Sequence, residues 1–125
     1  MIICHKLHVK TKNEKLKSTI VNTLHKFKPI KTFVIDVDCV LTDGTLLILE
    51  DGQMARQMNI KDGYAIQLAI KKGYRVVIIS GGTSEAVKER LVRLGVKDCF
   101  VKIDDKKTKL VEYVAEHQLL WDEIL

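Results

Sequence analysis

The chain has 125 residues, 46% of them apolar, with a single Pro and no low-complexity tract. That length is expected to carry one ordered domain with a genuine core, and the composition argues against disorder. The formal charge of +5 is uneven, because residues 1–31 hold eight Lys and one acid, Glu14, a balance of +7 that leaves −2 for the remainder.

Basic ends of this kind touch nucleic acid or anionic lipid in some proteins. The expectation here is the blander one, a solvated lysine-rich arm with no nucleic-acid partner. Cys4, His5 and His8 have no fourth ligand nearby, so a terminal metal cluster is not expected. Met1 to Lys12 has no apolar core suited to a signal peptide, and nothing approaches a membrane span. The three cysteines, Cys4, Cys39 and Cys99, are an odd number without framework spacing. Reduced thiols and a cytoplasmic location fit them.

Residues 13–27 read as an amphipathic helix, with Asn13 as N-cap and Leu16, Ile20, Leu24 and Phe27 at helical spacing. Pro29 then marks entry into a strand. The expected division is a basic extension over 1–28 and one α/β domain over 29–125. Phe33-Val34-Ile35 suits a strand buried on both faces. Thr45 to Leu49 and Met54 to Met58 form a hairpin around Glu50-Asp51-Gly52-Gln53, where Asp-Gly is a strong turn signal. A helix follows from about Asp62, which could cap it, burying Ala65, Ile66, Ala69 and Ile70 before Gly73.

Arg75 to Ser80 is the second buried strand. Gly81-Gly82-Thr83 turns into a helix with Val87, Leu91 and Leu94 on one face, ended by Gly95. Cys99 to Val101 is a short third strand. The helix from about Lys106 places Leu110, Val111, Val114 and Ala115 inward, and Trp121 to Leu125 approaches a fourth strand. Strands alternating with helices in this way predict a doubly wound (Rossmann-like) parallel α/β sheet, with ligands at the carboxyl ends of its strands.

Asp36 and Asp38 follow the first strand two residues apart, and period two would send both carboxylates to one side. Like charges so close repel unless compensated, and a hard cation such as Mg2+ is the usual remedy. The competing reading is a solvated acidic turn. Ser80 and Gly81 close the second strand just before a helix, where a hydroxyl and main-chain N–H groups can cradle a phosphate. An ordinary strand-to-helix turn would look the same. Lys106 and Lys107 both stand at the start of the last helix and compete for any phosphate beside them.

The run Phe33 to Gly44, with its Asp-x-Asp-x-Val-Leu core and Leu-Thr-Asp-Gly continuation, resembles the haloacid-dehalogenase-like (HAD) phosphatases. Within them it is similar to the 3-deoxy-D-manno-octulosonate 8-phosphate (KDO 8-phosphate) phosphatase branch. The resemblance implies that Asp36 is the nucleophile and Asp38 the acid and base. It implies Mg2+ held by the Asp36 carboxylate and the Asp38 main-chain carbonyl, and phosphate held by Ser80, Gly81 and Lys106. Asn59-Ile60-Lys61-Asp62-Gly63 resembles the family's Asn-Val-Arg-Asp-Gly substrate loop, to which the resemblance adds Asp38 and Arg90. A phosphorylated eight- or nine-carbon sugar acid as substrate, a role in surface-sugar synthesis and a homotetramer built through the hairpins are implied as well.

Four positions depart from that pattern. Cys39 and Lys102 replace family Gly, so a positive φ at Cys39 would strain the chain and crowd the nucleophile. Gln67 and Gly82 stand where close relatives carry Arg. The Gly-Asp-Asp acids that complete the family's metal site lie beyond the fourth strand, past Leu125, so an incomplete metal site is expected. Two rivals follow: a catalytically impaired remnant that binds phospho-sugar or builds oligomers, and a receiver-like signalling domain.

Overall fold

A computed structural model describes residues 25–125. The lysine-rich arm, the helix expected over 13–27 up to residue 24, and the Cys4, His5 and His8 group lie outside the described residues. The elements are β1 (Thr32–Ile35), β2 (Thr42–Ile48), β3 (Met54–Met58), α1 (Ile60–Lys71), β4 (Arg75–Ile79), α2 (Glu85–Arg93), β5 (Asp98–Phe100) and α3 (Lys106–Glu116). A 3-10 turn over Trp121–Glu123 completes them.

The main sheet is parallel, in the order β1-β4-β5. β4 is its centre because Arg75-Val76-Val77-Ile78-Ile79 offers apolar side chains to both faces. Val76 and Ile78 join Ile66 of α1 and Val87 and Leu91 of α2 in one core cluster. Val77 and Ile79 face the other way, onto Tyr113 of α3 with Phe100 and Leu110 beside it. Helices therefore cover both faces, as the doubly wound reading requires. Past the 3-10 turn, Ile124 bridges Thr32 in parallel, and Val34 N–H donates to the Leu125 carbonyl. The chain thus begins a third parallel pairing, on the open side of β1.

Several expectations need correction. β1 is half-buried and not sealed: Val34 and Ile35 pack toward opposite core clusters, but its outer edge meets, among the described residues, Ile124 and Leu125. β2 begins at Thr42, three residues before its expected start, and an irregularity between Thr42 and Leu46 absorbs the difference. Helix α1 is capped by Asn59, whose Oδ1 accepts from Lys61 N–H at 2.8 Å, so Asp62 lies within its first turn. Ala65 points to solvent while Gly63 and Ile66 are buried. In α3, Leu110 and Val114 face inward as expected, whereas Val111 and Ala115 are exposed and Tyr113 takes their place in the core. Helical periodicity found the right helices there and misplaced the buried stripe by part of a turn.

The hairpin stands off this body as a two-stranded sheet of its own. Gly52 takes φ +81 at its tip, and Gln53 N–H donates to Asp51 Oδ1, the chemistry expected of Asp-Gly. Leu46, Leu47, Ile48 and Met54 are exposed along it.

Candidate active site

Asp36 and Asp38 lie just past the end of β1, so strand alternation does not place them; the turn that follows does. The Val37 carbonyl accepts from the N–H groups of Leu41 and Thr42 at 2.9 and 3.1 Å. Cys39 N–H donates to Thr42 Oγ1 at 3.1 Å. Closing so tight a turn puts Cys39 at φ +63, in the region where L side chains are strained. Val37 and Leu41 drop into the core and leave both acids at the surface of the site. Cys39 does not crowd Asp36: its thiol is exposed, and its Sγ lies 3.0 Å from where a Cβ on Gly44 would stand.

Each carboxylate has its own cation, delivered by a different element. Asp36 accepts from Val37 N–H at 2.7 Å through Oδ1 and from Lys106 Nζ at 2.6 Å through Oδ2. Asp38 Oδ1 accepts from Arg56 Nε at 2.8 Å. Both acids remain partly open, with side-chain exposures of 33% and 42%.

The Ser80 side chain is 2% exposed, and its Oγ accepts from Gly82 N–H at 3.1 Å. The turn it begins is stitched to the segment after β5. Ile103 N–H donates to the Ser80 carbonyl and Lys102 N–H to the Gly82 carbonyl. Lys102 reaches that geometry at φ +60, a second strained position. Asp105 then caps α3, accepting from Thr108 N–H at 3.0 Å and Thr108 Oγ1 at 2.7 Å. That backbone donor holds the Asp105 carboxyl below its ordinary range. The cap makes Lys106 the first helical residue and aims its ammonium at Asp36. Lys107 makes no ion pair among the described residues.

The structure thus groups Asp36 with Lys106, and Asp38 with Ser80, Gly82 and Arg56. Asn59, Ile60, Lys61, Asp62 and Gly63 form the cap and first turn of α1, not a loop. Gly63 lies against Arg90 of α2, since a Cβ there would stand 3.4 Å from Arg90 Nη2. A cleft of about 610 Å3 between the hairpin and the start of α2 is lined by Met54, Arg56, Met58, Thr83 and Arg90. Arg56 escaped the reading of the sequence. The signal was present: Arg56 and Met58 share one face of β3, Met58 packs against the core, and a charge drawn to that side demands a partner.

As a test for a divalent cation, the donors here are hard oxygens, which suit Mg2+ with water and phosphate in its remaining positions. The donors that the resemblance implies are the Asp36 carboxylate and the Asp38 main-chain carbonyl. Among the described residues no cluster of three or more His, Cys, Asp or Glu side chains could hold a metal.

No family model matches the chain. It is 32% identical over 91 residues to 3-deoxy-D-manno-octulosonate 8-phosphate phosphatase KdsC of Haemophilus influenzae, covering 73% of this chain and 51% of that protein. The Salmonella typhi protein of the same name is 32% identical over 75 residues, with 60% and 40% covered. The chain therefore spans about half or less of the length of these relatives. Among solved structures, the Moraxella catarrhalis phosphatase in complex with magnesium, phosphate and KDO matches with a TM-score of 0.77 at 29% identity, covering 82% of this chain and 59% of that one. The cobalt-bound Haemophilus influenzae phosphatase matches with a TM-score of 0.73 at 27% identity, covering 79% and 58%. Sequence and fold agree, and the chain belongs to the KDO 8-phosphate phosphatase family of the HAD-like phosphatases.

Proposed function

We propose that this chain carries the phosphate-transfer site of a phosphomonoesterase acting on KDO 8-phosphate or a closely similar sugar-acid phosphate in a bacterial cytoplasm. The observation that carries the reading is the meeting of Asp36, from the end of β1, with Lys106, from the start of α3. A carboxylate and an ammonium at the carboxyl ends of parallel strands, beside a serine-glycine turn, form a nucleophile with a phosphate counter-charge.

In the first step an Asp36 carboxylate oxygen attacks phosphorus while the bond from phosphorus to the sugar oxygen breaks. Asp38 delivers its proton to that departing oxygen. In the second step Asp38 takes a proton from water, the water oxygen attacks phosphorus, and the Asp36–phosphate bond breaks. Lys106 and the Ser80-Gly81 turn hold the phosphoryl oxygens. Mg2+, when bound by the Asp36 carboxylate and the Asp38 carbonyl, supplies neutralisation of phosphate charge. Arg90, which lines the cleft, and Asn59 to Gly63 orient the sugar acid, Lys61 offering charge without the planar fork of an arginine. The apolar face of the hairpin is the surface through which copies assemble into a homotetramer.

Phosphate release from KDO 8-phosphate in the presence of Mg2+, abolished in Asp36→Asn, is the expected result. A folded, Mg2+-supplied sample that releases none overturns the reading. The small number of acidic donors favours one alternative, a phospho-sugar binding remnant. Calorimetric titration with the phospho-sugar, run beside a phosphate assay, separates the two, because binding without release selects the remnant.

A further inference from the structure

We propose that Arg56, carried into the site by the hairpin, is the positioning residue that fixes Asp38 for proton transfer. The proposal rests on the phosphatase reading and assigns a residue which that reading leaves idle.

The first observation is the contact itself. Arg56 Nε donates to Asp38 Oδ1 at 2.8 Å, and the Arg56 side chain is only 11% exposed. An arginine so covered is held in one place by its surroundings. The second is the space around Gly82. A Cβ there would lie 3.3 Å from both Asp38 Oδ2 and Ser80 Oγ, and 3.8 Å from Arg56 Nη2. Guanidinium, carboxylate and hydroxyl therefore converge on a position that has no side chain to separate them. The third is location. Arg56 lines both the small cavity shared with Asp38, Ser80 and Gly82 and the cleft that runs out between hairpin and α2.

The bond decides which carboxylate oxygen is free. With Oδ1 engaged by Arg56, the proton that Asp38 gives and takes back resides on Oδ2, the oxygen facing Ser80 and Gly82. Without Arg56 the carboxylate rotates about its own axis, and neither oxygen keeps that aim. A purely structural purpose explains the contact less well. Ion pairs with a partner as open as Asp38 contribute little to stability. Misplacing a reacting group by an ångström slows chemistry far more.

The experiment measures kcat and KM on KDO 8-phosphate for wild type, Arg56→Ala, Arg56→Lys, Asp38→Asn and the Asp38→Asn/Arg56→Ala double variant, with melting curves to confirm folding. Expected is a roughly tenfold to hundredfold fall in kcat for Arg56→Ala with KM changed by less than about threefold. Arg56→Lys should recover part of the rate, and the double variant should be no slower than Asp38→Asn alone. A loss confined to KM, or a further fall on adding Arg56→Ala to Asp38→Asn, overturns the proposal. Should wild type release no phosphate, the phosphatase reading fails on its own. The Arg56 Nε–H resonance then carries the test: a shift on Asp38→Asn supports the assigned contact, and an unmoved resonance overturns it.

Discussion

Lys106 Nζ lies 2.6 Å from Asp36 Oδ2, closing a contact across 70 residues of chain. Asp105 caps α3, so Lys106 is its first helical residue and stands beside Asp36. Replacing Lys106 with Ala should lower kcat about a hundredfold, the scale of removing one preorganised electrostatic donor. Lys107→Ala should leave kcat within about twofold. Equal losses from the two would show that diffuse charge, and not this ion pair, does the work.

Acidification should loosen the same device. The Asp105 carboxyl is held below its ordinary value by Thr108 N–H, so its cap contributes stability above the unfolded pKa, near 4, and loses it as pH falls through the lower folded value. The Thr108 amide shift should titrate below pH 4 in wild type and stay flat in Asp105→Asn. A wild-type midpoint at or above the ordinary aspartate value would contradict the cap.

Strain at the two positive-φ sites is measurable. Cys39→Gly and Lys102→Gly should each raise stability by about 0.5–1 kcal/mol in urea denaturation, the αL penalty less the entropy of glycine. Gly44→Ala should destabilise by about 1–3 kcal/mol, since Gly44 sits at φ +83 with the Cys39 sulfur 3.0 Å from the new Cβ. Combining it with Cys39→Gly should cost less than the sum of the separate effects. Strict additivity would mean that the sulfur is not the obstacle.

Away from the site, Tyr113 ties the amino ends of two strands together. Its hydroxyl donates to Asp98 Oδ2 at 2.6 Å and accepts from Arg75 Nη1 at 2.9 Å. Tyr113→Phe should cost about 1–3 kcal/mol, because both partners lose a bond while remaining partly buried. Burial raises the Tyr113 pKa, so its contribution is complete below the unfolded value near 10 and fades as pH rises through the folded one. A variant as stable as wild type at neutral pH would refute the bridge.

The exposed Leu47 and Ile48 test assembly. Leu47→Lys with Ile48→Lys should leave the fold intact and shift the mass measured by light scattering toward smaller species. An unchanged mass would remove the hairpin from the interface.

Local chemistry was enough for much of this molecule. The Val-Val-Ile-Ile run of β4, the Val87-Leu91 stripe of α2 and the Asp-Gly tip of the hairpin are each written within a few consecutive residues, where chain geometry repeats and side-chain type reports it. The positions of Asp36 and Ser80 after strands were legible too, whereas Lys106 was told from Lys107 only by the resemblance.

The pairings were not. Nothing near Arg56 in the chain names Asp38, and nothing around Tyr113 announces Asp98, because an ion pair or a buried hydroxyl is specified by whichever distant segment packs beside it. Asp38 itself owes its place to a turn wound about the Val37 carbonyl, which strand periodicity cannot foresee. Patterns along a chain record what each segment buries, whereas the partner of a buried charge is chosen only when separate segments close on one another.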